Sequence, residues 1–283
     1  MANLPPPPSA PPRRTRQEKA EAAEVSFSSQ PLASGTKIGV YGPGGEGKTT
    51  LCAGISQVGI KPVLIDLDKG SSGLTEIARA MNSDGSLCST FSEVRAALQS
   101  PAILEFDCVI IDTLSALEER ARDHVIATVP HEKSGRPINS LEDYGFGKGY
   151  VHLYEQMLLI LSDLDALVEK GKHIILICHQ VAERAPSATS EDYLEYQPRL
   201  QSPPKTGKVR ERVFEFCDHF FRLDQDRVVT DGKAMNTDSR AIYTTRSATS
   251  WAKHRALPNG REIPDVIPFP KGSVEIWKLL FGN

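Results

Sequence analysis

Four short apolar runs punctuate the first two-thirds of the chain: Thr36–Tyr41, Pro62–Asp66, Phe106–Asp112 and His173–Cys178. They are continuous rather than alternating and rich in Val and Ile, which predicts strands buried on both faces, as in a parallel sheet. Helical periodicity fills the intervals, over Thr49–Val58, Phe91–Gln99, Thr113–Ile126 and about Gly149–Lys170. In the last of these, Leu153, Met157, Leu158, Ile160, Leu161, Leu164 and Leu167 recur near a period of 3.6, and Gly171 supplies the stop. Further on, Val209–Asp218 reads as a helix and His219–Leu223 as a strand. Arg227–Val229 and Ala241–Thr245 flank Asp231-Gly232, a hairpin signal. Strands alternating with helices predict an α/β fold with a mainly parallel central sheet flanked by helices, followed by a C-terminal antiparallel hairpin.

Three stretches lack such periodicity. Residues 1–35 carry Pro5–Pro8, Pro11-Pro12 and the cations Arg13, Arg14 and Arg16, and are expected to be an unpacked tail. Phe27 is the large aromatic residue there, placed either on the parent domain or on a neighbouring subunit. Residues 130–148 are polar and turn-rich, and 181–206 show little hydrophobic pattern, a length of loop that is usually functional or disordered. The expected organisation is a tail over 1–35, a core over 36–258, and a C-terminal tail over 259–283 whose Ser273–Phe281 helix docks on the body.

Composition narrows the class without naming it. The chain has 283 residues, 40% hydrophobic and 24% charged, ordinary for a globular protein. No apolar run approaches the ~20 residues of a membrane span, so no membrane association is expected. The N-terminus lacks a signal-like apolar segment. Five scattered cysteines form no C-x-x-C pair, which argues against a zinc site or disulfide framework and for a reduced, cytoplasmic protein. The net charge of −3 hides eleven Lys/Arg against seven Asp/Glu between Lys205 and Arg255, which suits either a phosphate-tracking face or a solvated surface.

The sharpest chemistry lies at Gly42-Pro43-Gly44-Gly45-Glu46-Gly47-Lys48-Thr49, which fits G-x-x-x-x-G-K-[ST] at every fixed position between a predicted strand and helix. Glycines let successive N–H groups curl toward phosphate oxygens, and the helix end at Thr49-Thr50 adds a positive dipole. Lys48 is expected on the β- and γ-phosphates of ATP, and the Thr49 hydroxyl on Mg²⁺. The Phe106–Asp112 strand ends in the acid expected to hold the same Mg²⁺, unless Asp112 only caps the next helix.

Four stretches taken together resemble the RecA-type recombinase core: the loop at 42–49, Ile65-Asp66-Leu67-Asp68, Ile111-Asp112-Thr113-Leu114-Ser115-Ala116-Leu117, and His179-Gln180. The likeness covers about residues 36–255 and looks closest to the single-strand annealing and recombination ATPases of bacteriophages. It implies a RecA-like ATPase, stimulated by single-stranded DNA, acting in recombination, annealing or repair. A filament or ring of like subunits, a single-strand-binding protein as possible partner, and the cytoplasm of a host cell come with it. Residue by residue, the resemblance makes Asp68 the catalytic acid and Gln180 the γ-phosphate sensor. Asp68 stands where recombinases carry Glu, so it must reach about 1.5 Å further or act through a second water. His179 is either a polar neighbour of the sensor or a core histidine. Tyr144, Phe146, Lys148 and Tyr150 fall in the first DNA-facing loop and 181–206 in the second. Aromatics around a cation suit single strands, although the same rings would also suit core packing. Lys253 and Arg255 stand where the family places cations that reach the neighbouring subunit's ATP, or else they are two solvated surface charges. The rival classes are a partition-type ATPase switch and an AAA+ helicase loader. Against the first, Tyr41-Gly42-Pro43 carries no early lysine; against the second, Asp112 is followed by Thr113 rather than a second acid.

Overall fold

The computed structural model describes residues 34–131, 135–185, 192–230, 233–257 and 260–282, with backbone alone from 226 to 238. The proline-rich tail, its arginine cluster, Phe27 and the Asp231-Gly232 turn lie outside the described residues. Six α-helices and nine strands are present among the described residues. The strands are β1 (Lys37–Gly42), β2 (Pro62–Asp66), β3 (Ala78–Arg79), β4 (Cys108–Asp112), β5 (His173–Ala185), β6 (Tyr193–Pro198), β7 (His219–Thr230), β8 (Lys233–Tyr243) and β9 (Val266–Pro268). They form one sheet in the order β3-β2-β4-β5-β1-β7-β8-β9, with β6 paired to β5 alone. From β3 to β7 every pairing is parallel; β7-β8, β8-β9 and β5-β6 are antiparallel. The mainly parallel α/β sheet with antiparallel strands at the C-terminus is therefore the fold that the apolar runs predicted.

Helices cover both faces, which is what a sheet of doubly buried strands requires. On one face lie α2 (Phe91–Gln99), α3 (Leu114–Thr128), α4 (Lys148–Val168) and α5 (Val209–Phe216), packing Val94, Leu117, Leu161 and Val213 against Ile65, Ile111 and Leu176. On the other lie α1 (Lys48–Ala53) and α6 (Glu275–Phe281), with Leu51, Ile55 and Trp277 against Val40, Leu64 and Ile177. Trp277 is fully buried, and its indole N–H donates to the Leu51 carbonyl at 2.6 Å, fastening α6 to α1. Caps fix helix starts. Thr90 and Glu93 form a capping box on α2, and the Thr113 hydroxyl accepts the Ala116 N–H at the start of α3. No described helix is long and apolar enough to cross a membrane.

Two departures from expectation bear on the site. The stretch 181–206, expected as loop, is in part a β-hairpin: β5 runs seven residues past the predicted Cys178 and pairs Gln180–Ala185 with Tyr193–Pro198. The adjacent Glu183 and Arg184 on β5, and Glu195 on β6, interrupt the apolar residues without a regular alternation, so the pattern looked aperiodic beside the continuous inner strands. Residues 186–191 at its tip lie outside the described residues. The C-terminal hairpin is also longer than expected, because β7 and β8 continue past their apolar halves.

Candidate active site

The parallel strands end along one edge, and their register sets the site. Gly42 of β1 lies opposite His179 of β5, and Asp112 of β4 lies opposite Ile177 of β5 and Asp66 of β2. The C-terminal edge of an open α/β sheet is where ligands bind. Between β1 and α1 the chain turns through left-handed backbone at Gly45 (φ 82°) and Gly47 (φ 91°), conformations that a side chain would strain. α1 then starts at Lys48.

Inside this loop the Lys48 ammonium is buried and donates to the Gly42 and Pro43 carbonyls at 2.9 and 2.6 Å. Burial lowers its pKa, with Asp112 opposing that push. The Thr49 hydroxyl donates to Asp112 Oδ2 at 2.6 Å. Asp112 is also buried, and burial pushes its carboxyl up to about 6, with Asp68 and Asp66 adding to the push. A hydroxyl and a carboxylate in direct contact beside a buried cation are hard oxygen donors suited to Mg²⁺. The donor set thus fits the metal and the triphosphate implied by the motif. The peptide bond after Asp112 is cis.

The two acids after β2 divide their work. Asp66 is buried and accepts from the Gly70 and Ser71 N–H groups and the Ser71 hydroxyl, so it shapes its own loop. Asp68 is exposed at the sheet edge and meets His179 Nε2 at 2.9 Å. That hydrogen bond holds the Asp68 carboxyl below its ordinary value. The His179 N–H donates to the Ser115 hydroxyl, which donates to the Arg199 carbonyl, fixing β5 against α3.

Gln180, expected as sensor, faces the other way, since successive strand residues point to opposite sides. Its Oε1 accepts from Arg222 Nε at 3.0 Å, and the Arg222 guanidinium is paired with Asp224 and stacked over the Tyr196 ring. The side chain that meets Asp68 is His179. Its place at the end of an apolar run was the available signal.

The first expected DNA loop splits between core and solvent. Tyr144 is buried, its hydroxyl donating to the Val129 carbonyl at 2.5 Å, so it offers no open ring to a base and the expectation for it is corrected. Phe146 is the opposite case, fully exposed with φ 51° between Gly145 (φ 70°) and Gly147 (φ 75°). Lys148 opens α4, and the half-buried Tyr150 donates from its hydroxyl to Glu142 at 2.6 Å. Lys253 bridges to Phe220 near the start of β7, with its ammonium over the Phe214 ring, and Arg255 pairs with Asp218 at 3.1 Å. That is the end of β7 away from the chain's own phosphate loop, so neither cation is gathered into this subunit's site.

Sequence reasoning missed two residues that contact the loop. Gln225 of β7 and Arg240 of β8, opposite each other in register, both reach Glu46. They lie 179 and 194 residues away in sequence, and no local pattern marks them.

A family model described as AAA domain (AAA_24) matches residues 34–256. No curated protein matches the sequence. Among solved structures, a KaiC-like protein from Pyrococcus horikoshii is similar at 15% identity and a TM-score of 0.40, over 84% of this chain and 91% of that one. The flagellar accessory protein FlaH from Methanocaldococcus jannaschii is similar at 12% identity and a TM-score of 0.37, over 84% of this chain and 85% of that one.

Proposed function

The chain belongs to this AAA domain family, and on that premise we propose that it is a Mg²⁺-dependent ATPase that acts on single-stranded DNA in recombination, annealing or repair, as a phage-encoded homo-oligomer. One observation carries the DNA part of the reading. Strand β5 passes beside the phosphate loop, where His179 lies opposite Gly42 of β1, and runs without a break into the hairpin with β6. A displacement of His179 by a ligand in the phosphate loop would thus be carried along the strand that forms the hairpin. The exposed Phe146, held on left-handed backbone, supplies the π-face that a sequence-tolerant single-strand site uses. Tyr193 and Leu194 add apolar surface on β6.

The chain's own residues have separable roles in this reading. Lys48 would leave its two carbonyls for the β- and γ-phosphates, Thr49 and Asp112 would hold the metal, and Asp68, kept ionised by His179, would orient and polarise the attacking water. Mg²⁺ bound there would neutralise charge on the phosphates. Lys253 and Arg255 face a neighbouring subunit's nucleotide.

Anisotropy of a labelled oligo-dT tests the coupling. The full chain should bind it more tightly with a non-hydrolysable ATP analogue than with ADP, and Phe146→Ala should weaken binding in both states. Equal affinity in the two states, or no binding, would overturn the DNA reading.

A further inference from the structure

Glu46, in the middle of the phosphate loop, is held at two points by the C-terminal strands. Arg240 Nη1 donates to the Glu46 carbonyl at 2.7 Å, and Gln225 Nε2 donates to Glu46 Oε1 at 3.2 Å. Both donors come from facing positions of β7 and β8, just before the register shift at Gln225/Arg227. Arg240 is itself fixed. Its guanidinium lies 4.8 Å from the centroid of the buried Phe269 ring, and the Phe269 N–H donates to the Arg240 carbonyl at 2.7 Å. The close approach needs a glycine next to Glu46, because a Cβ at Gly47 would stand 2.6 Å from Arg240 Nη1.

The geometry has a chemical consequence inside the loop. The Glu46–Gly47 peptide is planar and trans, so its carbonyl and its N–H point in opposite directions. A cation that draws the Glu46 carbonyl outward turns the Gly47 N–H inward, toward the space a phosphate loop encloses. A charged donor on the carbonyl also polarises that N–H. We propose that Arg240 is a positioning residue for the phosphate loop, braced by Phe269, which presets the Gly47 N–H for a nucleotide phosphate. The proposal rests on the nucleotide-binding reading of the loop and assigns to β7, β8 and β9 a share in nucleotide affinity. Arg240 touches peptide rather than substrate, so its contribution falls on ground state and transition state alike and appears in KM.

The test is Arg240→Met, which keeps an apolar stem on Phe269 and removes the charge. With a fluorescent ADP analogue and in steady-state ATP turnover, affinity should fall about ten-fold and KM should rise to match, the scale of one charged hydrogen bond. The kcat at saturating ATP should stay within about three-fold of the parent. Arg240→Lys should recover part of the affinity, since a cation still reaches the carbonyl. If Arg240→Met does not fold, Gln225→Ala frees the same residue from its side-chain end and should weaken the ADP analogue about two- to five-fold, the scale of one neutral hydrogen bond. Parent-like affinity in the folded variant overturns the proposal while leaving the site intact. A kcat that collapses with no rescue by lysine also overturns it, because that pattern belongs to direct contact with the reacting phosphate. A parent protein that takes up no nucleotide overturns the site reading and this proposal together.

Discussion

Replacing Asp112 with Asn should stabilise the nucleotide-free protein at neutral pH while removing a group that the site needs. Asp112 is 3% exposed, and its carboxyl is pushed up to about 6 from the usual 3.8, chiefly by burial. Between those two values the folded chain keeps a proton that the unfolded chain has lost, so raising the pH through this window favours unfolding. Above pH about 6 the full penalty is present; at ~1.4 kcal/mol per pH unit it amounts to about 3 kcal/mol. Asn cannot ionise and keeps an oxygen for the Thr49 hydroxyl, so it removes the penalty without removing the contact. For a domain of this size about 3 kcal/mol corresponds to ~6–12 °C in Tm. Thermal melts of parent and Asp112→Asn, in EDTA from pH 4.5 to 8, read the effect directly. The gap in favour of the variant should be smallest at pH 4.5, widen through pH 6 and level off. Saturating Mg²⁺-ATP should narrow it, because the parent gains more from the ligand. A gap independent of pH, or a variant that melts below the parent at pH 7.5, would refute the reasoning.

Other perturbations separate roles within the site. Lys48→Ala should abolish tight ATP binding, measured by calorimetry, because a buried cation on the phosphates is lost. Phe146→Ala should leave the melting temperature unchanged while weakening single-strand binding by about 1–3 kcal/mol, the scale of one stacked base. Tyr144→Phe should do the reverse, lowering stability by about 0.5–1.5 kcal/mol through loss of the hydroxyl's hydrogen bond to the half-buried Val129 carbonyl, with no change in DNA affinity. Arg255→Ala and Lys48→Ala should each be nearly inactive, yet activity should partly return when they are mixed; no return from demonstrably mixed assemblies would place Arg255 outside the neighbour's site.

What could be read from the sequence follows from how local each signal is. The inner strands and the phosphate loop were legible because continuous apolar runs and a fixed glycine spacing carry their own meaning. α4 was legible for a similar reason, as seven apolar residues at helical period leave little choice of face. The β5–β6 hairpin was not, since Glu183, Arg184 and Glu195 interrupt its apolar residues and their partners are distant: Arg210 takes Glu183, and Arg246 takes Glu195. Tyr144 and Phe146 sit two residues apart in one glycine-rich segment, and only the fold sends one ring inward and leaves the other in solvent. Between His179 and Gln180 the choice was one of strand parity, which depends on where β5 sits against β1. Arg240 was beyond reach, because a contact spanning 194 residues leaves no trace in local pattern.

The most direct measurement of the proposed function is steady-state ATP hydrolysis by the full chain, with Mg²⁺, in the presence and absence of single-stranded DNA. Turnover should rise several-fold with the strand, depend on Lys48, and respond much less to duplex of the same length. Hydrolysis that depends on Lys48 but ignores single-stranded DNA at every concentration would leave an ATPase and contradict its coupling to DNA.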